Sequence, residues 1–191
     1  MSRSTRITLI CHAATAATKA AGFPADEPVL EGQNEALGRI RAALPYAHGF
    51  LSGPELRARQ TAGMLASDFA VEPAFRDLDC GRWRGKGLVE IQESEPENLM
   101  AWISDMEAAP HGGDSIASLC ERIAGWLSGQ ITAGGHTVVV THPAVMRAAI
   151  VSILDAPRES FRKIDVLPLC VSEISSDGRR WALRSFGRLL D

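Results

Sequence analysis

The chain has 191 residues, 46% apolar and 23% charged, with 20 Lys+Arg against 23 Asp+Glu and a formal net charge of −3. That is the composition of one ordinary globular domain, 1–191, and it excludes a disordered or fibrous chain and a nucleic-acid binder held by bulk positive charge. The four cysteines, Cys11, Cys80, Cys120 and Cys170, form no CxxC pair, so neither a zinc knuckle nor a disulfide scaffold is expected. The opening MSRSTRITLI has no long apolar run before a cleavage site, and no stretch reaches the ~20 apolar residues of a membrane span. The expectation is a cytoplasmic protein with reduced thiols and no membrane or nucleic-acid partner.

Taken in order, RITLIC at 6–11 is short, apolar and β-branched and predicts a buried first strand. From His12 to Gly32 the chain is rich in Ala, Thr, Gly and Pro without periodicity, which predicts a long functional loop. Leu37, Ile40 and Leu44 predict a helix over 35–44 that Pro45 stops. A second strand follows at 49–52. Pro54 opens a helix expected to reach about Phe69, with Leu56, Thr61, Met64 and Leu65 on one face. RDLDCGRWRGK at 76–86 is a glycine-punctuated polar loop, and two short helices follow near 88–93 and 97–106. Asp114 and Ser115 offer an N-cap to a helix carrying Ile116, Leu119, Ile123 and Leu127. HTVVVT at 136–141 predicts a fully buried strand, and Pro143 opens a helix through Leu154. Two or three strands with an Asp177-Gly178 turn complete the chain.

Strands alternating with helices predict an α/β fold: a three-layer α/β/α sandwich with a mostly parallel central sheet and an antiparallel strand at the end. In such sheets ligands bind beyond the carboxyl ends of the strands. Three strand ends therefore converge. One brings Cys11 and His12, one brings Ser52, Gly53 and a helix with Arg57 on its first turn, and one brings Thr141 and His142. Two imidazoles, a guanidinium and a helix N-terminus make a pocket for a phosphoryl group. A neutral histidine can attack phosphorus to give a phosphohistidine that water hydrolyses, while a nearby carboxylic acid protonates the leaving alcohol.

The residues Leu9-Ile10-Cys11-His12-Ala13-Ala14-Thr15 resemble the Leu-x-Arg-His-Gly-x-Thr signature of the histidine phosphatase superfamily, the phosphoglycerate mutase-like fold. Gly53-Pro54-Glu55-Leu56-Arg57-Ala58-Arg59-Gln60-Thr61-Ala62 is similar to that family's Ser-Pro-Leu-x-Arg-Ala-x-Gln-Thr-Ala. The stretch from Arg76 to Gly85 resembles its acidic loop, Gly112-Gly113-Asp114-Ser115 its Gly-Gly-Glu-Ser, and Val139-Val140-Thr141-His142-Pro143 its Val-Val-Ser-His-Gly. Any one of these matches is weak; the ordered set is specific. The resemblance implies that His12 is the nucleophile, His142 its partner on the phosphoryl oxygens, Arg57 the phosphate clamp and Asp77 the acid–base carboxylate. Thr15 and Asp114 complete the implied phosphate- and substrate-contacting set. It implies a phosphatase for a small phosphate monoester, with no metal or organic cofactor. A homodimer is the default expectation for its assembly.

Cys11 stands where the signature has Arg, Ala13 where it has Gly, and Asp77 where the acid is the longer Glu. Losing a preorganised donor costs on the order of 10²–10³ in rate. Two readings stay open. Lys19, Arg82, Arg84 or Lys86 replaces the missing cation in a weakened or specialised hydrolase, or the fold binds a phosphorylated ligand or protein partner without turnover. Asp79 competes with Asp77 as the acid. Cys11 does not open a cysteine-phosphatase loop, because the Arg needed six residues on is Ala17, and a Cys11–His12–His142 metal site has no further ligand at sensible spacing. His48, His111 and His136 read as loop or edge histidines, Trp83 as a packing anchor, and Arg59, roughly 200° around its helix from Arg57, as solvent-facing.

Overall fold

The apolar run before His12 forms β1 (Thr5–Cys11), the first of the elements in a computed structural model that describes residues 4–190. There follow α1 (Ala16–Ala20), α2 (Asn34–Ala43), β2 (Gly49–Ser52), α3 (Leu56–Leu65), β3 (Ala70–Val71), α4 (Leu88–Ser94) and α5 (Pro96–Ser104). The chain continues with α6 (Ile116–Gln130), β4 (Gly135–Thr141), α7 (Pro143–Ile153), β5 (Val171–Ser176) and β6 (Trp181–Arg188). The strands form one sheet in the order β3-β2-β4-β1-β5-β6. β3, β2, β4 and β1 are parallel; β5 runs antiparallel to β1, and β6 antiparallel to β5. The register sets Cys11 beside Thr141 and Ser52 beside Val140, so three carboxyl ends stop at nearly one level.

Alternation along the strands divides the core into two. Ile7, Leu9, Cys11 and Val139 face Ile116, Leu119 and Ile123 of α6 and Val145 and Met146 of α7. Ile10, Val138 and Val140 face Leu37 and Ile40 of α2 and Ala58, Ala62 and Leu65 of α3. Helices thus cover both faces, which is why the central strands read as continuous apolar runs. Each fully buried Val, Leu or Ile contributes about 1.5–3 kcal/mol, and this core fixes the level at which the strand ends stop.

Several boundaries differ from those the sequence suggests. The long loop contains α1, started by a reciprocal cap between Thr15 and Thr18. α3 begins at Leu56 rather than Pro54 because Glu55 is extended (φ −69°, ψ 149°), and it stops at Leu65. Its buried face is Arg57, Ala58, Thr61, Ala62 and Leu65, while Met64 is exposed. β3 is two exposed residues with no pattern to betray it. The N-cap of α6 is Ser115, whose hydroxyl accepts from Ser118 N–H; Asp114 is turned elsewhere. No described helix is long and apolar enough to cross a membrane.

Candidate active site

His12 leaves the end of β1 with its N–H donated to Thr141 O at 2.8 Å, which ties it to the neighbouring strand. Its Nδ1 lies 2.8 Å from Ala13 O. A carbonyl only accepts, so the ring proton sits on Nδ1 and the Nε2 lone pair is left free. Burial, then the neighbouring His142, push the His12 pKa down to about 3. The neutral imidazole is therefore the resting form at physiological pH. Beside it, burial raises the Cys11 thiol well above its ordinary range, so this sulfur is not a thiolate.

The loop after His12 is held by the segment around Arg57. Thr61 Oγ1 accepts from Ala13 N–H at 3.0 Å and donates to Arg57 O at 2.8 Å, while Gln60 Oε1 accepts from Val29 N–H at 2.9 Å. The Gln-Thr pair thus acts as a bracket between α3 and the β1 loop. The N-terminus of α3 is not an open anion seat, because Leu56 N–H donates to Asp26 Oδ1 at 2.7 Å.

His142 ends β4 and starts α7, and its ring centroid lies 5.2 Å from that of His12. Its Nε2 donates to Glu55 Oε2 at 2.6 Å, and its Nδ1 is 3.4 Å from Asp77 Oδ2. Glu55 Oε1 in turn accepts from Asp77 N–H at 3.0 Å, and Asp77 Oδ2 accepts from Arg57 at 2.5 Å. Arg57 is 1% exposed and also donates to Ala25 O at 2.8 Å. Burial works to raise the Asp77 pKa, but His142, Arg57 and His12 outweigh it and hold the carboxyl below its ordinary range. Glu55 is likewise lowered, its bond to His142 overcoming the effect of burial. Glu55 is a site residue that the signature does not mark: it occupies the place of the family's Leu, and that polar-for-apolar exchange is its only signal in the sequence. Gly53 makes room for this cluster, since a Cβ there would lie 2.7 Å from Phe75 O and 2.9 Å from His142 Nε2.

The acidic loop is fixed from behind. A Cβ on Gly113 would fall 2.0 Å from Asp79 O, and one on Gly81 2.2 Å from His111 O. The two glycine segments therefore cross backbone to backbone, bonded through Asp114 N–H to Asp79 O (2.8 Å) and Arg82 N–H to His111 O (3.1 Å). Arg122 of α6, which no sequence motif marks, donates to Ala74 O at 3.0 Å and Arg76 O at 2.7 Å and so steadies the approach to Asp77. Trp83 is buried against Phe23, Trp102 and His111.

A cavity of about 360 Å³ opens on His12, Thr15, Arg57 and Asp77, with Phe23, Leu78, Trp102 and Phe161 among its walls. Thr15 lines it but spends its hydroxyl on the α1 cap. Asp114 does not reach it; its carboxylate takes Arg76 at 3.0 Å and Arg122 at 3.4 Å. Asp79 also lies outside, accepting from Gly81 N–H and pairing with Arg84 at 3.2 Å. None of the four expected substitute cations lines the cavity: Arg82 pairs with Glu95, Lys86 faces Glu90, Arg84 holds Asp79 and Lys19 is exposed. Arg147 and Arg162 line it instead. His136 is no edge residue, since it is buried in β4 with Nε2 2.9 Å from Thr8 Oγ1, and His111 is buried too. Among the described residues no group of three or more His, Cys, Asp or Glu is placed to hold a metal ion.

The fold matches that of a mycobacterial glucosyl-3-phosphoglycerate phosphatase solved with VO3, with a TM-score of 0.82 and 20% identity over 95% of this chain and 98% of that one. This places the molecule among the phosphoglycerate mutase-like α/β sandwiches. The chain belongs to the histidine phosphatase superfamily (branch 1), whose sequence model matches residues 7–188. It is 28% identical over 136 residues to a bifunctional protein of Mycobacterium tuberculosis, covering 67% of this chain and 37% of that protein. It is 27% identical over 124 residues to phosphoserine phosphatase 1 of Hydrogenobacter thermophilus, covering 61% of this chain and 54% of that one. The chain thus spans only about a third to a half of the curated relatives it matches.

Proposed function

We propose that this protein hydrolyses a small phosphate monoester through a phosphohistidine on His12. The observation that carries the reading is the neutral, buried His12 with Nδ1 committed to Ala13 O, which leaves the Nε2 lone pair for phosphorus. In the first half-reaction the Nε2–P bond forms as the ester P–O bond breaks, and the departing oxygen takes a proton from Asp77. Asp77 rests ionised against Arg57; a bound phosphate dianion competes for that guanidinium and raises the carboxyl's affinity for a proton, which it takes up from solvent as the substrate binds. In the second half-reaction the carboxylate of Asp77 takes a proton from water as the water oxygen bonds to phosphorus, the Nε2–P bond breaks, and orthophosphate leaves with His12 again neutral. His142 lies with its ring centroid 5.2 Å from that of His12, behind the cavity lining, and its Nε2 stabilises the phosphoryl oxygens when the incoming phosphate displaces Glu55 from that donor. The modest cavity and the phosphatases among its relatives support a small ester over a macromolecular one.

One observation favours a second reading, a module that binds a phosphorylated ligand without turnover: Cys11 removes a cation and none of Lys19, Arg82, Arg84 or Lys86 lines the cavity. A panel of small phosphate monoesters without added metal separates the two. Turnover by wild type that vanishes in His12→Ala supports hydrolysis. Turnover that survives His12→Ala overturns it, and a silent wild type beside an active Cys11→Arg favours the binding module.

A further inference from the structure

Arg147 lies on α7, one turn beyond Pro143, and lines the cavity with His12. Only its Nε is tied, donating to Ile164 O at 2.7 Å. Among the described residues its two terminal nitrogens have neither a hydrogen bond nor an ion pair, and Phe161 packs 5.8 Å from the guanidinium carbon. Arg57 differs, because Asp77 and Ala25 O already hold its two terminal nitrogens and only its buried Nε has no partner, so an anion takes its fork in competition with them. Arg162 is held differently: one terminal nitrogen donates to Trp102 O, its guanidinium stacks on the Trp102 ring at 4.6 Å, and its Nε is buried without a partner. Burial lowers the Arg147 pKa, opposed first by the charge of Asp165 and then by Cys11 and Asp77, and among the described residues no carboxylate comes within ion-pair distance of the guanidinium.

We propose that Arg147 is the phosphate-binding cation of this site, supplying from the helix behind His142 the charge that Cys11 does not supply from β1. The proposal rests on the phosphatase reading and deepens it. The two free ends of the guanidinium fork meet two non-bridging oxygens of the phosphoryl group as it passes from the ester to His12. α7 adds the positive end of its dipole from the same side, and Pro143 at its first turn contributes no N–H, which leaves Arg147 as the charged donor there.

Orthovanadate is the probe, titrated into the full chain by calorimetry, with p-nitrophenyl phosphate hydrolysis and thermal melts alongside. Arg147→Gln removes the charge and keeps an N–H donor toward Ile164. It is expected to weaken vanadate binding about 10- to 100-fold, the range for a lost charge-assisted bond. Arg147→Lys, a point charge without the fork, should lose about 3- to 10-fold. The double variant Cys11→Arg/Arg147→Gln should recover most of the loss, which a merely structural role for Arg147 would not allow, and Lys19→Ala should bind as wild type does. His12-dependent vanadate binding that Arg147→Gln leaves unchanged overturns this proposal and leaves the phosphatase reading standing. A wild type that binds vanadate no better than His12→Ala overturns both. Should Arg147→Gln fail to fold, Arg147→Lys decides, and wild-type affinity in that variant counts against the proposal.

Discussion

Where the strand ends form the floor of the cavity, Arg57 is paired with a carboxylate; where α7 and the 158–163 turn form its roof, two guanidinium groups are bonded only to carbonyls and lie over aromatic rings. On the floor Arg57 holds Asp77 and His12 holds the Ala13 carbonyl, and beneath it, outside the cavity lining, His142 holds Glu55. On the roof Arg147 faces Phe161 and Arg162 faces Trp102. A ring face attracts a cation without neutralising it, so the roof keeps positive charge to offer an anion. The floor, already balanced, orients His12 and gives little attraction at a distance. Rigidity and affinity are thereby assigned to different elements of one cavity.

The largest contrast should be in stability. Arg57→Ala leaves Asp77 buried without its partner and is expected to cost about 3–5 kcal/mol, on the order of 10 °C in Tm for a chain of this size. Arg162→Ala removes a cation–π contact and a carbonyl bond and should cost about 1 kcal/mol. Thermal melts of the two variants check this, and equal losses would erase the distinction between floor and roof.

The next effect is in pH. The folded-state pKa of His12, about 3, lies below its ordinary 6.5, so between those values the unfolded chain binds the extra proton. Its stabilising contribution is complete above about pH 6.5 and is lost as pH falls toward 3. Asp77 and Glu55, lowered from ordinary carboxylate values, contribute stability that disappears further down, as pH falls through their folded-state pKa values. Urea titrations from pH 7.5 to 4.5 should show stability falling by a few kcal/mol at most. His111, also lowered, adds to the slope in the same direction, and His12→Gln isolates the floor's share by flattening it. An unchanged slope in that variant would mean that His12 is not held neutral by its surroundings.

Floor and roof also differ in how far the amino-acid sequence reveals them. The floor comes from residues at or soon after strand ends, and short local patterns carry them: RITLIC, the helix opened near Pro54 and HTVVVT each name a strand or helix and the side chain it presents. Strand register then brings His12, Arg57 and His142 together, and Glu55 and Arg57 hold Asp77 beside them. The architecture is legible for the same reason, since buried parallel strands are long apolar runs. The roof is assembled from α5, α7 and a turn near the chain's end, and no local pattern links Trp102, Arg147 and Arg162. Glu55 is hidden because a helix opened by Pro54 would carry it as an ordinary first-turn carboxylate, whereas the extended cap turns it to His142. Asp114 sits beside its motif glycines yet faces Arg76 and Arg122, because the crossing at Gly81 and Gly113 carries it to the outer side of the acidic loop. A motif fixes a neighbour in sequence; which way its side chain turns depends on partners elsewhere.

The central claim is that His12 takes the phosphoryl group, and rapid quenching during turnover of a phosphate monoester at near-neutral pH tests it most directly. Peptide mapping of the denatured protein should find an acid-labile, base-stable phosphoryl group on Nε2 of His12, absent from His12→Ala. Turnover with no adduct at His12, or an adduct that persists on another residue after His12→Ala, would contradict the account.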